Sequence, residues 1–522
     1  MPRSGIILLC VGSKDGWRHF KYYNYMNNKY FRSFVGGIFC LGLSIANAMA
    51  ADILLPNAND RFPSVTLDPF ERQRAVVQAA RKIQTMDTPS AASESQAVDT
   101  SVVVAPVIAA PVVTVADNSP PYSYSVFLDV DYVNKLSGGA QTSMSMGGDE
   151  TESGEGEATI PAASAAVYLL HFYGEYDTGK AGLWDNGTIV AHIIYGGGNS
   201  PTNTVGDLRS TSNIDASFMD EQGNMVMPGL DILELWYEHR FPYNKSSVRI
   251  GAGYLSSDFY KSKYTGLFLN SGVGSIGTEI LWNTMASNPP NTTLGLWYKT
   301  SMTQNVYWQL AAFDGFPDHS TDVFAVAFGE EEGVFTATEL GLQLGSPKKD
   351  GYLKVGLGAW YLKQDMAKMM DQTMYMVGYE GYTGEAKQGT GGMYVVVDKA
   401  IDDDMGIFFK GGIAEDGINK YKRYFTTGVT YKGLLESRPS DVVGAAVVQS
   451  KLGDAYLEAS GLDDDGNFSL FSHETIYEFT YSAKVNKWLM VQPDLQYVLQ
   501  PSMNPMNLNS WVATIRAEIT IK

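Results

Sequence analysis

The sequence predicts an all-β fold: one transmembrane antiparallel β-barrel of about sixteen strands, preceded by a short helical or disordered N-terminal extension. The composition, with 53 Gly, 31 Tyr and only 18% charged residues, suits short strands, tight turns and aromatic girdles better than helices. From Ser123 onward, short stretches of alternating residues are broken by Gly, Asn, Asp and Pro. Residues 123–522 number 400, and at about 25 residues per strand with its loop they hold about sixteen strands.

The first fifty residues have the layout of a secretory signal peptide. Basic residues precede an apolar run at 34–45, and small residues at cleavage spacing follow. Cleavage is expected after Ala48 or Ala50, with translation starting at Met1 or at Met26. The sequence therefore predicts residues 1–50 as a signal peptide and an exported protein.

The composition of the chain excludes several classes of protein. The formal net charge is −19, which argues against a nucleic-acid partner, because phosphates need clustered Lys and Arg. Both cysteines, Cys10 and Cys40, lie in the predicted signal peptide, so a disulfide framework is not expected. No segment after it offers the roughly eighteen consecutive apolar residues of a membrane-spanning helix. The exported chain is then either a periplasmic protein or a barrel.

Residues 51–122 are predicted to form a periplasmic extension. The pattern over 70–86 fits a short amphipathic helix. Residues 88–121, rich in Ala, Ser, Val and Pro, read as an extended linker without a packed core. The barrel is predicted to occupy residues 123–522.

The alternation of apolar and polar residues is clearest at the end of the chain. One face of the last segment carries Trp511, Ala513, Ile515, Ala517, Ile519 and Ile521, and the other carries Thr514, Arg516, Glu518 and Thr520. Two earlier segments repeat the arrangement: Leu233, Leu235 and Tyr237 against Glu234, Trp236, Glu238 and Arg240, then Val248, Ile250, Ala252 and Tyr254 against Arg249. A soluble β-sandwich also alternates, but many such strands favour a barrel with lipid outside and water inside.

Polar and aromatic side chains on the predicted inner faces are the candidate functional residues. These predicted pore-constriction or solute-binding residues are Glu234, Trp236, Glu238, Arg240, Arg249, Asp494 and Arg516. Charged groups that face a narrow lumen set its field and its hydrogen-bonding capacity. Sugar hydroxyls pair with carboxylates and guanidinium groups, and sugar ring faces rest on an aromatic ring. The alternative is that these charges pair across neighbouring strands and only stabilise the wall.

Motifs for catalysis, cofactor binding and metal binding are weak, and no catalytic residue, metal or cofactor is predicted. The six histidines are spread singly. The glycines of 272–277 match a dinucleotide fingerprint without its βαβ context, so a glycine-rich turn is expected. The acidic runs 402–404 and 463–465 lack the spacing of a calcium loop and read as turns. The acidic stretch 144–157 is expected to be an extracellular loop.

Several blocks of the sequence resemble the carbohydrate-selective (OprB-type) porins. The resemblance covers roughly residues 230–522 and, more weakly, 123–229. Its blocks are Leu235–Arg240, Val248–Leu255, Asp258–Tyr260, Phe268–Asn270, Pro290–Gly295, Ala312–Gly315, Tyr431–Leu434, Glu474–Glu478, Trp488–Leu489, Gln492–Asp494 and Gln496–Tyr497.

The resemblance implies a sixteen-stranded outer-membrane barrel that passes glucose and other small sugars through a constriction of arginines, acids and aromatics. Glu238, Arg240 and Arg249 are then the expected constriction residues. The predicted function is passive diffusion of small hydrophilic solutes, sugars preferred, without catalysis. A general, mildly cation-preferring porin and a secreted binding or adhesive β-protein without a pore remain alternatives. Outer-membrane lipid and lipopolysaccharide are expected neighbours, and a homotrimer is left open.

Overall fold

The described part of the chain forms a closed antiparallel barrel of sixteen strands in a computed structural model, as the strand pattern and the length of residues 123–522 predicted. The structure describes residues 119–140, 163–215, 218–219, 225–226, 229–315, 333–346, 350–365, 388–460 and 470–521. The predicted signal peptide, the helix over 70–86, the linker up to residue 118 and the acidic stretches 144–157 and 463–465 lie outside these residues.

The first half of the barrel is built from strands β1 to β8. Their bounds are β1 Tyr122–Gly139, β2 Ser164–Asp177, β3 Gly187–Gly198, β4 Leu230–Phe241, β5 Ser246–Gly253, β6 Thr293–Ser301, β7 Val306–Asp314 and β8 Val334–Leu344. The second half consists of β9 Leu353–Asp365, β10 Gln388–Ala400, β11 Met405–Ala414, β12 Tyr421–Lys432, β13 Val442–Leu452, β14 His473–Lys484, β15 Leu489–Leu499 and β16 Leu508–Thr520.

Each strand pairs with its sequence neighbours, and β1 closes the barrel against β16. The connections differ strongly between the two ends. The turn end has short connections such as 242–245, 302–305 and 485–488, whereas the loop end has long ones such as 199–229 and 254–292. Short turns at one end and long loops at the other are typical of transmembrane barrels.

Side chains on the strands follow the inverted pattern of a membrane barrel. In β16, Trp511 and Ile515 are 41% and 57% exposed on the outside, whereas Thr514 and Arg516 are 1% and 5% exposed on the inside. A polar interior and an apolar exterior are the reverse of a soluble sandwich, whose apolar face is buried. The predicted inside and outside of this segment are confirmed.

Two predicted orientations in the early strands are wrong. Leu233 and Tyr254 were expected outside, but both are buried in an interior cluster with Ile214. The reason for Leu233 is a register shift in the pairing of β3 with β4, which interrupts the alternation at that residue. Tyr254 follows the last residue of β5, where the strand's alternation ends.

Short helices lie in the connections. The α-helices are α1 Pro201–Val205, α2 Ser271–Gly274, α3 Thr278–Thr284 and α4 Asp454–Ala459. The 3₁₀ turns are Pro242–Asn244, Leu255–Ser257, Thr265–Leu267 and Pro501–Met503, and the two-residue strands Phe218–Met219 and Met225–Val226 pair with each other as a separate sheet. Among the described residues, the structure contains no helix with the length and apolar character to span a membrane.

The glycine-rich stretch 272–277, expected to be a turn, forms a short helix and the start of the next one, whereas the acidic run 402–404 is a turn, as expected. Gly272 and Gly274 belong to α2, and Gly277 precedes α3, without a strand leading into either. The run 402–404 is the turn between β10 and β11, where Asp402 Oδ1 accepts hydrogen bonds from the backbone N–H groups of Asp404 and Met405. These local hydrogen bonds of the Asp402 carboxylate stabilise the turn.

Candidate functional site

The connection between β5 and β6, residues 254–292, turns into the lumen, and we call it the inward loop. Side chains from eight consecutive strands, β8 to β15, hold it. The hydrogen bonds that hold it join Tyr260 to Glu339, Lys261 to Lys354, Lys263 to Asp398, Val273 and Ser275 to Lys410, Gly272 to Tyr424, Thr278 to Ser450, Leu269 to Glu478, Leu267 to Gln492, and Asn270 to Gln496. The inward loop thus narrows the barrel along half of its wall.

A second segment, residues 199–215 of the connection between β3 and β4, supports the inward loop. The Arg209 guanidinium donates to the carbonyl of Ile276 at 2.9 Å, so the two segments are joined. The backbone N–H of Leu208 donates to Glu474 Oε2 at 2.9 Å on the barrel wall. Both segments are therefore fixed parts of the lumen rather than peripheral loops.

Five of the predicted site residues meet on β4 and β5. Glu238 accepts hydrogen bonds from Arg240 Nε at 2.8 Å and from Arg249 Nη2 at 3.3 Å. Glu234 accepts one from the Trp236 indole N–H at 3.1 Å. The pairing of β4 with β5 places Glu238 directly opposite Arg249. Antiparallel pairing therefore builds this cluster from residues eleven apart in sequence.

Arg249 is the centre of the cluster. Its Nη1 donates to Asp258 Oδ2 at 2.6 Å, and its Cζ lies 4.2 Å from the Trp236 ring centroid and 5.6 Å from that of Trp297. Guanidinium groups are well suited to stacking on aromatic rings while pairing with carboxylates. We call Glu238, Arg249, Asp258, Trp236 and Trp297 the Arg249 cluster.

Asp258 joins the inward loop to this cluster. Burial acts to raise the pKa of its carboxyl, but the charges of Arg249, Lys299 and Lys261 outweigh burial and hold the pKa well below its usual range. Because the carboxylate stays ionised down to low pH, its contribution to stability is lost only under strongly acidic conditions. The Arg249–Asp258 pair is thus a durable link between the wall and the inward loop.

The aromatic side of the cluster continues along the inner wall. Trp297 contacts Phe313 with ring centroids 4.8 Å apart, Phe313 contacts Phe335 at 6.3 Å, and Phe335 stacks on Trp360 at 6.2 Å. These rings come from β6, β7, β8 and β9 and are all buried. They fix the Trp297 ring against which the Arg249 guanidinium rests.

The other two predicted site residues lie elsewhere and are paired. Arg516 on β16 donates to both carboxylate oxygens of Asp131 at 2.7 Å, and Asp131 is fully buried. Asp494 on β15 accepts from Gln496 Nε2 at 2.8 Å, and it is 5% exposed. Neither residue belongs to the Arg249 cluster. The exposed charge beside that cluster is Arg240, whose side chain is 53% accessible.

Sequence reasoning assigned no role to Asp258 or Trp297. Asp258 appeared only within a block of family resemblance, and its place beside Arg249 depends on the 3₁₀ turn Leu255–Ser257 that reverses the chain. Trp297 lies opposite Arg249 in the pairing of β5 with β6. Its alternation with Leu296, which is exposed outside, was the one signal in the sequence that could have placed Trp297 in the lumen.

The position of the inward loop can be tested with an engineered disulfide. The hydroxyl oxygens of Thr278 and Ser450 lie 2.7 Å apart, so we expect Thr278→Cys with Ser450→Cys to bring two thiols close enough to form a disulfide between loop and wall. Both native cysteines precede residue 51, so a chain starting there carries only this pair. The measurement is mass spectrometry of the oxidised, folded chain, with Thr278→Cys alone as control. Free thiols in the folded double variant would show that the loop docks elsewhere.

Glu279 in α3 makes the stability of the docked loop depend on pH. Its side chain is fully buried, accepts from the Tyr260 hydroxyl at 2.9 Å, and burial raises its pKa from 4.5 to about 7. The unfolded carboxyl ionises first as pH rises, so this group lowers stability progressively between pH 4.5 and about 7. We expect Glu279→Gln to remove that decline, measured as denaturant unfolding in detergent at several pH values. The exposed Glu436→Gln is the control, and equal pH profiles of the two variants would contradict the assignment.

Among the described residues, no group of three or more His, Cys, Asp or Glu side chains is arranged to hold a metal ion. What the Arg249 cluster offers instead is a guanidinium, carboxylates and an aromatic face at one place. Such a set binds neutral polar molecules through hydrogen bonds and ring stacking.

Comparisons with known proteins agree on one family. The family model described as "Carbohydrate-selective porin, OprB family" matches residues 169–521, more than half of the chain. Porin B of Pseudomonas aeruginosa is 25% identical over 315 residues, which are 55% of this chain and 67% of that protein. The high-pH structure of Pseudomonas putida OprB has a TM-score of 0.62 at 17% identity, covering 77% of this chain and 94% of that chain.

The family match includes all three strands of the Arg249 cluster and the whole inward loop, and the structural likeness extends to nearly all of the solved barrel. A closed sixteen-stranded barrel with an apolar outer wall is also the architecture of a porin of the bacterial outer membrane. This chain therefore belongs to the OprB family of carbohydrate-selective porins.

Proposed function

We propose that this porin passes small carbohydrates, monosaccharides above all, by passive diffusion past the Arg249 cluster, and that it catalyses no bond chemistry. The observation that carries the proposal is the Arg249 guanidinium, held between the Trp236 and Trp297 rings and two carboxylates inside a closed barrel. The family match and the relative named Porin B support a channel role.

The Arg249 cluster and the neighbouring Arg240 are suited to a hydrated sugar because they offer both hydrogen-bond donors and acceptors. The Arg240 side chain is half exposed and donates, and the carboxylates of Glu238 and Asp258 accept. The Trp236 ring is 5% exposed and supports the Arg249 guanidinium. A sugar exchanges its water hydrogen bonds for these without a covalent step. Because each contact is modest, binding stays weak enough for release, which conduction requires.

Arg516 and Asp494 are proposed to act on the lumen indirectly. Both are buried and hydrogen-bonded to neighbouring side chains, so they act on a passing solute through the electrostatic field and the shape of the wall. Glu234 acts similarly by holding the Trp236 indole. The direct solute contacts are thus assigned to Glu238, Arg240, Arg249 and Asp258, and the buried Trp236 is assigned to holding the Arg249 guanidinium.

We propose cleavage of residues 1–50, a periplasmic extension up to the start of β1, and an outer wall in contact with membrane lipid and lipopolysaccharide. A homotrimer is proposed as the assembled state, and the mass of the detergent-extracted protein tests it.

Proteoliposome swelling tests the proposed solutes. We expect fast swelling with glucose, slower swelling with maltose, and slower swelling with a non-sugar polar solute of glucose size than with glucose itself. Rates that follow size alone would favour a general diffusion porin, and a preference for cations over anions in ion-gradient measurements would favour the mildly cation-selective alternative suggested by the net charge of −19. If liposomes that contain verified folded barrels do not swell, both the sugar porin and the general diffusion porin are overturned.

A further inference from the structure

Lys299 is a lumen-facing cation beside the Arg249 cluster, outside the group of proposed solute contacts. On β6 it lies opposite Ser247 of β5 and Gln309 of β7. Gln309 is 2% exposed, and its amide donates to the carbonyl of Asp258 in the inward loop at 2.9 Å. Because paired residues share one face of a sheet, the Lys299 side chain points into the barrel.

Among the described residues, the Lys299 ammonium has no oxygen partner. Its Nζ lies 5.5 Å from the centroid of the Tyr307 ring, a cation–π contact. The neighbouring lysines differ: Lys354 Nζ donates to the carbonyl of Lys261 at 2.6 Å, and Lys261 Nζ donates to that of Ser257 at 2.9 Å. The half-buried Lys299 thus keeps its N–H donors available to a molecule in the lumen.

The charges nearest to Lys299 are mostly positive. The groups that act most strongly on its ammonium are three cations and one acid, namely Arg249, Lys261, Lys354 and Asp258. The acid is already engaged, because Asp258 Oδ2 accepts from Arg249 Nη1 at 2.6 Å. An anion in this part of the lumen therefore meets an excess of positive charge, opposite in sign to the net charge of −19 of the whole chain.

A sugar with a single carboxylate fits both parts of this wall. Its hydroxyls can pair with the donors and acceptors of the Arg249 cluster. Lys299 lies two residues beyond Trp297 on β6, about 7 Å along the strand, so a carboxylate at one end of the same sugar can reach it. The nearby acids Glu238 and Asp258 disfavour a group with a charge of about −2, such as a phosphate monoester.

We propose that Lys299 is a specificity-determining residue and that this porin takes monosaccharides with a carboxylate, such as uronates and aldonates, in preference to neutral ones. The inference rests on the proposed function, because the Arg249 cluster holds the hydroxyls of the sugar while the Lys299 ammonium binds its carboxylate. Tyr307, whose hydroxyl donates to Glu339 Oε1 at 2.6 Å, keeps that ammonium in place against its ring.

The first test is single-channel block of the native chain by glucose, glucuronate and glucuronamide, the neutral amide of glucuronate. A charge-assisted hydrogen bond lowers a dissociation constant by about tenfold, so glucuronate should block at about one-tenth of the concentration that glucuronamide needs. The preference should shrink at about 1 M salt, where the screening length is about 3 Å. Equal block by glucuronate and glucuronamide, or tighter block by a phosphate monoester of glucose than by glucuronate, overturns the proposal.

Substitution of Lys299 tests whether its ammonium is responsible. In Lys299→Gln, glucuronate and glucuronamide should block equally, whereas Lys299→Arg keeps the charge and should retain most of the preference. Lys399→Gln is the matched control and should keep the native ratio, because Lys399 follows the buried, inward-facing Asp398 on β10 and points outside. A native ratio in Lys299→Gln would contradict the assignment. Since the first test uses the native chain, the proposal remains refutable even if this variant does not fold.

Failure of the proposed function gives a different pattern from failure of this inference. Block by glucuronate without any block by glucose or glucuronamide would overturn the proposed passage of neutral sugars and support the carboxylate site. Equal block by all three would leave the proposed function intact and remove Lys299 from the specificity of the channel.

Discussion

Replacing Arg249 with alanine should weaken glucose block of the channel by about ten- to hundredfold, because hydrogen bonds to a charged group contribute about 1.5–3 kcal/mol. The change removes the guanidinium from between Trp236 and Trp297 and leaves the carboxylates of Glu238 and Asp258 without their shared cation. Conductance should also shift towards cations, since one positive charge is removed from beside two acids.

The measurement is single-channel current with glucose titrated into the bath. Arg438→Ala is the matched control, because Arg438 pairs with Asp441 in the turn between β12 and β13 and not in the lumen. Arg249→Lys keeps the charge but cannot reproduce the planar pairing and stacking, so we expect intermediate block. Unchanged block in Arg249→Ala would remove this residue from the constriction.

Replacing Arg516 with alanine should destabilise the folded barrel by about 3–5 kcal/mol, the cost of leaving a buried charge without its partner. Asp131 is fully buried and receives both of its Arg516 hydrogen bonds at 2.7 Å. Asp131 also accepts from Ser212 Oγ at 2.7 Å, which ties residues 199–215 to β1. The variant should therefore also loosen that segment.

Denaturant unfolding in detergent measures this loss. Lys422→Ala is the control, because Lys422 bridges Asp416 and Asp454 in a solvent-accessible position where an ion pair contributes about 0–1 kcal/mol. Asp131→Asn combined with Arg516→Gln should recover much of the lost stability, since no bare charge remains. A loss in Arg516→Ala no larger than that of Lys422→Ala would show that the pair is dispensable.

Local sequence patterns predicted the wall of the barrel well. Alternation such as that of Trp511 and Ile515 against Thr514 and Arg516 depends only on the period of a strand and the two environments beside it. Closure into sixteen strands followed from chain length and turn spacing. The same reasoning failed at Leu233, because a register shift in one strand pair is not encoded in an alternating pattern.

The lumen was predictable only in part. Residues on adjacent strands, such as Glu238 and Arg249, could be grouped because pairing is local. The path of the inward loop could not, since it is fixed by contacts such as Leu269 with Glu478 that join residues more than two hundred positions apart. For this reason Asp258 received no role, and His171 and His192 looked like isolated histidines although their rings are in hydrogen-bond contact.

The most direct test of a sugar-sensing Arg249 cluster is single-channel conductance of the refolded mature chain in a planar bilayer, titrated with glucose, maltose and a non-sugar solute of similar size. We expect stepwise currents that glucose and maltose block saturably and the non-sugar solute does not. Steps that are indifferent to every sugar would contradict the account and leave a general diffusion pore.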